Sequence, residues 1–410
     1  MNFTVAAHTL GCKVNQYDTD AILRDFSALG FTVCNSDGPA DIFIINTCTV
    51  TNVSSKKSRQ LVSRAYRQNP NALIVAYGCY AQVEPDALSG IPGVSLVIGT
   101  NDKHRVAEMV SERFYQQKTG LAKKNKIEIS KSAGKRVRAY LKVQDGCDRF
   151  CSYCIVPYAR GAVSLRGIDD VAAEAEALVY NGCKEIVLSG IQIASYGKDL
   201  IKLIKRIHDV SGLERLRLSS LEPRVIDEDF LRPDLPKLCD HFHLSLQSGC
   251  DRTLERMNRR YTTTQYTQAA AAIRARYPHA ALTTDIIAGF PGETDEDFAE
   301  SLAFTESIGF FRIHVFAYSP KAGTPAAGFP HQVSSKVKEA RSQTLRCLGE
   351  KMHNSFCKRF IGREVPVLFE SKNKGQWEGH TTQYIKVRIT SADDLRNRIV
   401  RIKLKKEDII

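Results

Sequence analysis

The chain has 410 residues, 43% of them hydrophobic, so it must bury more than one core and cannot be a disordered polymer. No apolar run reaches the roughly 18 residues of a membrane span, and the opening Met1-Asn2-Phe3-Thr4-Val5 lacks the pattern of a secretory leader, which makes the cytoplasm the expected location. A net charge of +13 favours a polyanionic partner, nucleic acid before membrane, and 12 cysteines in such a compartment point to metal before disulfides.

The first hundred residues alternate strand and helix. Strands are predicted at Phe3–Leu10, Asp41–Asn46, Ala72–Tyr77 and Ser95–Ile98, with helices at Thr19–Leu29 and Val53–Arg67. This pattern gives an α/β fold whose N-terminal domain, residues 1–115, is a doubly wound parallel sheet. Residues 116–137 are polar and Lys-rich and read as a linker. The alternation then resumes, with strands at Ala139–Val143, Glu185–Leu188, Arg215–Leu218, His241–Leu246, Leu282–Ala288 and Phe311–Ala317. Helices fit at 169–181, 199–210, 263–277 and 294–308. Six such units are a partial (β/α)6 barrel, which with the long helix Ser334–Phe360 forms a domain over 138–360. Residues 361–410 switch to short alternating strands, Val365–Phe369, Tyr384–Ile389 and Ile399–Leu404, and read as a small β-barrel. That tail carries eleven Lys/Arg against seven Asp/Glu. A solvated basic surface explains it as well as a nucleic-acid contact does.

The cysteines fall into sets. Cys147, Cys151 and Cys154 lie within eight residues, directly after a predicted strand. Soft thiolates at that spacing select zinc or iron–sulfur, and the lack of a nearby fourth ligand argues against a closed zinc site. Three ligands on a four-iron cluster leave one iron open. Cys12, Cys48 and Cys79 are 36 and 31 residues apart, yet each follows the carboxyl end of a predicted parallel strand: HTLGC, IINTC and AYGC. Those ends converge on one rim of a doubly wound sheet, where ligands bind. Cys34, Cys183, Cys239, Cys250, Cys347 and Cys357 read as small hydrophobes or incidental thiols.

The Cys147-x3-Cys151-x2-Cys154 run, with Tyr153 before its last cysteine, resembles the radical S-adenosylmethionine (SAM) superfamily. The segments TLGCKVNQYDT, INTCTV, GCYAQ, LKVQDGCDRFCSYCIVPYARG, LSSLEP, HLSLQSG, MNRRYT and IAGFPGET resemble a narrower family, the radical-SAM methylthiotransferases, over essentially the whole chain. The resemblance implies two [4Fe–4S] clusters and SAM as cofactors, one cluster on each cysteine triad, and a TRAM-like terminal barrel. It implies that SAM bound to the open iron on Cys147, Cys151 and Cys154 yields a 5′-deoxyadenosyl radical. The cluster on Cys12, Cys48 and Cys79 would present a methylated sulfur. An electron donor such as flavodoxin or ferredoxin is implied too, with the sulfur donor left open.

The CKVNQYDT run points by analogy to the branch that methylthiolates carbon 2 of N6-threonylcarbamoyladenosine at position 37 of tRNA, so the expected partner is the anticodon loop. The same chemistry on isopentenyladenosine or on a ribosomal-protein aspartate stays open, as does a non-catalytic iron–sulfur RNA-binding protein. Tyr153, Gly190, Ser219, Glu222, Gln247 and Asp285 are the candidate SAM contacts, most of them at or near barrel strand ends. Arg259 and Arg260 could hold the SAM carboxylate or a tRNA phosphate, and each of these residues reads equally as an ordinary strand-end or surface group.

Overall fold

A computed structural model describes residues 3–119 and 137–410. The chain divides into two compact units, and their boundaries cut across the sequence-based ones. The first comprises Met1–Gly134, Asp145–Ser164 and Ser319–Ala327; the second comprises Lys135–Gln144, Leu165–Tyr318 and Gly328–Ile410. The cysteine loop 147–154 therefore belongs with the amino-terminal sheet. Most of the stretch read as a linker, residues 120–136, lies outside the described residues.

The first unit is built on a parallel sheet of β1 (Thr4–Thr9), β2 (Thr32–Val33), β3 (Ile42–Thr47), β4 (Leu73–Gly78) and β5 (Val94–Ile98), ordered β2-β1-β3-β4-β5. β3 and β4 are buried along their whole length, as expected of parallel strands covered on both faces. Helices α1 (Lys13–Ala28), α2 (Asn52–Gln68), α3 (Cys79–Val83), α4 (Pro85–Ser89) and α5 (Val106–Thr119) follow the strands, and α6 (Val156–Arg160) follows the cysteine loop. α1 begins six residues before the expected helix. Its buried stripe opens with Val14, Asn15, Asp18 and Thr19, whose polar members hide the helical period from an apolar count. α5 was absent from the sequence reading. It packs Val106, Ala107, Val110 and Phe114 against Val5, Phe26 and Phe31. α2 starts on a reciprocal cap in which Thr51 and Ser54 satisfy each other's backbone N–H.

The second unit carries the barrel strands. β6 (Arg138–Lys142) begins them, and two short strands, β7 (Gln144–Asp145) and β8 (Ser164–Leu165), flank the loop taken up by the first unit. Then come α7 (Ile168–Tyr180), β9 (Glu185–Ser189), α8 (Asp199–His208), β10 (Arg215–Leu218), β11 (Ser220–Leu221), α9 (Glu228–Leu231), β12 (His241–Leu244), α10 (Asp251–Arg256), α11 (Thr263–Arg276), β13 (Ala281–Ala288), α12 (Asp295–Ile308), β14 (Arg312–Ala317) and α13 (Ser335–Lys358). They form parallel sheets ordered β10-β9-β6 and β11-β12-β13-β14. The proline-broken stretch around 224–236 holds only a 3-10 turn and the single-turn helix α9.

The tail forms β15 (Glu364–Asn373), β16 (Gln376–Thr381), β17 (Lys386–Ile389) and β18 (Ile399–Lys403), an antiparallel sheet ordered β17-β16-β15-β18. Where a small barrel was expected, the recorded ladder runs between two edge strands, and a single bridge, Val387–Ile409, folds the last residues onto one of them. β16 escaped the sequence reading because Trp377 is its only large apolar residue. Trp377, Val367, Phe369 and Val387 form the tail's core, joined by Phe356 and Phe360 at the end of the long helix α13 and just past it.

Candidate metal centres

The neighbouring parallel strands β1, β3 and β4 run in register, with Thr9 opposite Asn46 and Thr47 opposite Gly78. Cys48 and Cys79 each come one residue after their strand, and Cys12 three residues after its own. Strands in a ladder are about 4.8 Å apart, so this register alone draws the three thiols to one rim. Cys12 caps α1 and is exposed, while Cys48 and Cys79 are buried. The packing here admits no side chain at Gly11. Its backbone is left-handed at φ 101°, and a Cβ there would lie 3.1 Å from the Cys48 sulfur. Asn46 fixes the rim by donating to the Asn15 carbonyl at 2.9 Å and to the Thr19 hydroxyl at 3.0 Å. Ser58 does the same for Cys48, receiving its N–H at 3.1 Å and donating to its carbonyl at 3.2 Å.

Burial pushes the Cys79 thiol up to about 11, and also raises Cys48; the mutual repulsion of the sulfurs adds to both, while Arg160 acts in the opposite sense. Cys48 and Cys79, which resist ionisation as bare thiols, become good ligands once a metal supplies the charge. The donor set fits an iron–sulfur cluster with three protein ligands.

The second triad lies on the loop that precedes α6. Gly146 turns that loop at φ 71°, where a Cβ would lie 1.9 Å from the Ala162 carbonyl oxygen, so only glycine fits. The Cys147 N–H bonds the Gly161 carbonyl at 3.2 Å and the Cys154 N–H bonds the Cys151 carbonyl at 2.9 Å, closing the loop on itself. Phe150 takes a left-handed φ of 45° between the first two cysteines. Burial raises the Cys147 thiol, and the neighbouring Cys151 adds to it. Tyr153 is half-buried between Ser152 and Cys154.

Arg160, which sequence reasoning passed over, follows the second triad in sequence and reaches the rim that carries the first. Its side chain is 2% exposed and reaches Asp18 at 3.4 Å and Asp145 at 2.8 Å. It also donates to the Asn15 side-chain oxygen. Burial opposes this cation, but the Cys79, Asp145, Asp18 and Cys12 groups outweigh it and hold the guanidinium firmly protonated. Lys103 adds a second ion pair to Asp145, and the Thr100 hydroxyl donates to the Ala159 carbonyl. Lys321 was also missed: 4% exposed, it donates to Glu84 at 2.7 Å and Ser55 at 3.0 Å on the same unit. No local spacing could reveal partners 142 and 237 residues away in sequence.

The remaining candidates sit in the second unit. Gly190 follows β9, where a Cβ would come within 2.9 Å of the Gln144 side-chain oxygen. Ser219 and Glu222 flank β11 and are buried, and Glu222 faces Arg259 at 3.8 Å. Arg259 also donates to the Tyr261 hydroxyl at 3.0 Å, whereas Arg260 is exposed. Gln247 is left-handed at φ 72°, with its N–H on the Asp285 carbonyl at 2.8 Å. Asp285 itself lies three residues before the end of β13, beside His243 and His314.

Comparison with known proteins matches residues 141–305 to the radical SAM superfamily and residues 4–99 to the uncharacterized protein family UPF0004. The threonylcarbamoyladenosine tRNA methylthiotransferase MtaB of Bacillus subtilis is 36% identical over 98% of this chain and 94% of its own length. The MtaB of Aquifex aeolicus is 36% identical over 90% and 93%. The tRNA-2-methylthio-N(6)-dimethylallyladenosine synthase of Akkermansia muciniphila is 32% identical over 97% and 95%. Among solved structures, the radical SAM methyltransferase TsrM of Kitasatospora setae aligns with a TM-score of 0.60 at 14% identity, over 92% of this chain and 77% of that one, which is a likeness of fold. With two thiol triads of the right chemistry and relatives matched along nearly their whole length, the chain belongs to the radical-SAM tRNA methylthiotransferases, transferases that use [4Fe–4S] clusters and SAM.

Proposed function

We propose that this enzyme adds a methylthio group to carbon 2 of N6-threonylcarbamoyladenosine at position 37 of tRNA. The observation that carries the reading is the pair of three-thiol sites within one compact unit, Cys12, Cys48 and Cys79 on the sheet rim and Cys147, Cys151 and Cys154 on the adjoining loop. The choice of modified base rests on the CKVNQYDT run and on the MtaB relatives, 35–36% identical, beside the dimethylallyladenosine relatives at 32–34%.

When bound, SAM and the two clusters supply a radical able to attack an unactivated C–H bond and the sulfur that replaces the hydrogen. The chain's own residues do the rest. Cys147, Cys151 and Cys154 hold one cluster by three sulfurs. Cys12, Cys48 and Cys79 hold the other, and Arg160 presents a permanent cation to that rim. Tyr153, Gly190, Ser219, Glu222, Gln247 and Asp285 are proposed to contact SAM. The anticodon base is displaced from its stack to be reached, as single-stranded loops allow. Flavodoxin or ferredoxin is the proposed electron donor. The cytoplasm, where the tRNA pool lies, is the proposed location; among the described residues no helix is long and apolar enough to cross a membrane.

The test is nucleoside mass spectrometry. Anaerobically reconstituted enzyme, SAM and reductant are incubated with tRNA bearing threonylcarbamoyladenosine or isopentenyladenosine. The reading predicts methylthiolation of the first. Methylthiolation of the second alone, or of a ribosomal protein in place of tRNA, would refute it.

A further inference from the structure

Helix α2 has two unlike faces. Ser55, Ser58, Val62 and Ala65 are buried. Ser58 accepts the Cys48 N–H and donates to its carbonyl, and Ser55 meets the Thr49 hydroxyl at 3.2 Å, so this face anchors the strand end that carries one rim thiol. At about 3.6 residues per turn, Val53, Lys56, Lys57, Gln60, Arg64 and Arg67 share the opposite face, and all six are exposed. The 17-residue helix holds five cations and no carboxylate. Arg59 reaches back to the Tyr80 hydroxyl at 2.6 Å, and Arg64 pairs with Asp37 at 3.0 Å through side chains 49% and 68% exposed, a pair that solvent screens. Lys56, Lys57 and Arg67 have no hydrogen bond or ion pair among the described residues. This sets α2 apart from α11, which also lacks carboxylates but engages both its arginines, Arg274 on the Gly309 carbonyl and Arg276 on Asp234, each at 2.9 Å. A row of cations that the protein leaves unmatched fits a polyanion. The stripe is about 21 Å long, room for about six phosphates at the B-form spacing of one strand. The end nearest Cys48 adds Val50 and Val53, 53% and 63% exposed, apolar groups that pack on a sugar or an unstacked base. A lipid surface fits less well, because a helix lying on a membrane turns an apolar face outward, and here the face opposite the cations is packed inside the protein.

We propose that the exposed face of α2 is a contact surface for the tRNA backbone, with Lys56, Lys57 and Arg67 holding phosphates and Val50 and Val53 meeting the nucleotide at the end nearest Cys48. This rests on the tRNA substrate of the function proposed above. The contact is positional and not a reading of sequence, since phosphates are alike along the chain. Its use lies in the two faces being one rigid helix. A strand held on the cations is thereby held at a fixed distance from Ser58 and the Cys48 backbone that Ser58 clasps. The three cations are already exposed, so each gives up little solvation on meeting a phosphate, and the gain comes mainly from released counterions.

The experiment titrates anaerobically reconstituted full-length protein with tRNA by filter binding over a range of salt concentrations. The Lys56→Gln, Lys57→Gln, Arg67→Gln variant should bind about tenfold or more weakly at physiological salt, and the slope of log affinity against log salt should fall by about two to three. The corresponding triple glutamate variant should bind more weakly still. A control reverses three exposed cations elsewhere on the same unit, in and just before α5: Arg105→Glu, Arg113→Glu, Lys118→Glu. It changes net charge as much as the triple glutamate variant does, yet should stay within about threefold of wild type, because salt screens charge remote from the bound strand. Iron content and the cluster absorption spectrum verify folding. Unchanged affinity and slope in the α2 variants, or a loss in the control equal to that of the triple glutamate variant, overturns the proposal. So does wild-type protein that binds phosphatidylcholine–phosphatidylglycerol vesicles through these residues and does not bind tRNA, which would make the face a membrane surface. Wild-type protein that binds tRNA through α2 but methylthiolates none refutes the function proposed above and leaves this surface standing.

Discussion

Replacing Arg160 by glutamine removes the cation that two nearly buried carboxylates share. The side chains of Asp18 and Asp145 are 6% and 8% exposed. Asp145 keeps Lys103 as a partner. A buried carboxylate without its cation relaxes by taking up a proton. For an unfolded-state pKa of about 3.9 that costs about 4 kcal/mol at neutral pH, within the ~3–5 kcal/mol range for breaking a buried pair. The sign follows from linkage. A carboxyl group that takes up a proton on folding costs stability as pH rises and returns it as pH falls towards the unfolded value. Urea unfolding of the apo-protein should show a wild-type-to-variant gap of about 4 kcal/mol at pH 7 that shrinks to about a third of that by pH 5. Arg160→Lys should recover part of it, since a lysine cannot span both carboxylates and Asn15. Arg160→Gln should also hold less iron after reconstitution, with the loss confined to the Cys12, Cys48 and Cys79 site. A gap below about 1 kcal/mol, or one independent of pH, would refute the idea that Arg160 neutralises this rim.

Further outcomes follow from other parts of the molecule. A Cys12→Ala, Cys48→Ala, Cys79→Ala variant should bind about half the iron, still yield 5′-deoxyadenosine from SAM, and transfer no sulfur; thiolated nucleoside from it would contradict the roles assigned. The Cys147→Ala, Cys151→Ala, Cys154→Ala variant should keep the other cluster and give no 5′-deoxyadenosine, read by chromatography. Glu185 is opposed by burial but held down to about 2 by Arg217, Arg138 and Arg215. Its contribution of about 3 kcal/mol should be present above pH 4.5 and lost as pH falls towards 2, and Glu185→Gln should lower Tm at neutral pH by several degrees. Arg401, Lys403 and Lys405 are exposed on or just past β18, Arg401 with only an exposed ion pair to Glu364 at 3.6 Å, whereas Lys386 and Arg388 are tied to the less exposed Glu378 at 2.8 and 2.7 Å. Charge reversal of the first three should therefore weaken tRNA binding and flatten its salt dependence, measured by filter binding, more than reversal of the other two.

Both cysteine triads were legible because thiol chemistry is scarce and its spacing is informative. The parallel sheet was legible because IFIINT and LIVAYG are continuous apolar runs. Helix α1 was half-hidden because Asn15, Asp18 and Thr19 are buried for their hydrogen bonds and ion pairs, not their hydrophobicity. Arg160 and Lys321 were invisible for a related reason: a lone cation in sequence says nothing about a carboxylate more than a hundred residues away. The His243, Asp285 and His314 group needed the register of β12, β13 and β14, which no single segment encodes. Deleting the tail, residues 361–410, would disturb the rest of the second unit as well. Arg217, buried in the barrel, donates to the Thr381 and Thr382 carbonyls, and Arg215 donates to those of Pro366 and His380.

The first unit is assembled from three stretches, the last of which ends at Ala327. On a ribosome the rim cysteines emerge early, but Lys321 follows more than two hundred residues later. At ordinary elongation rates of about 5–20 residues per second, that delay is on the order of ten to forty seconds. Throughout it the sheet exists without the segment that supplies Arg160, then without the one that supplies Lys321. A nascent chain in this state exposes free thiols to oxygen and to adventitious zinc. Loading with iron and sulfide is therefore expected to be an event of the finished polypeptide, and the growing chain needs either a reducing surround or a chaperone to reach it intact.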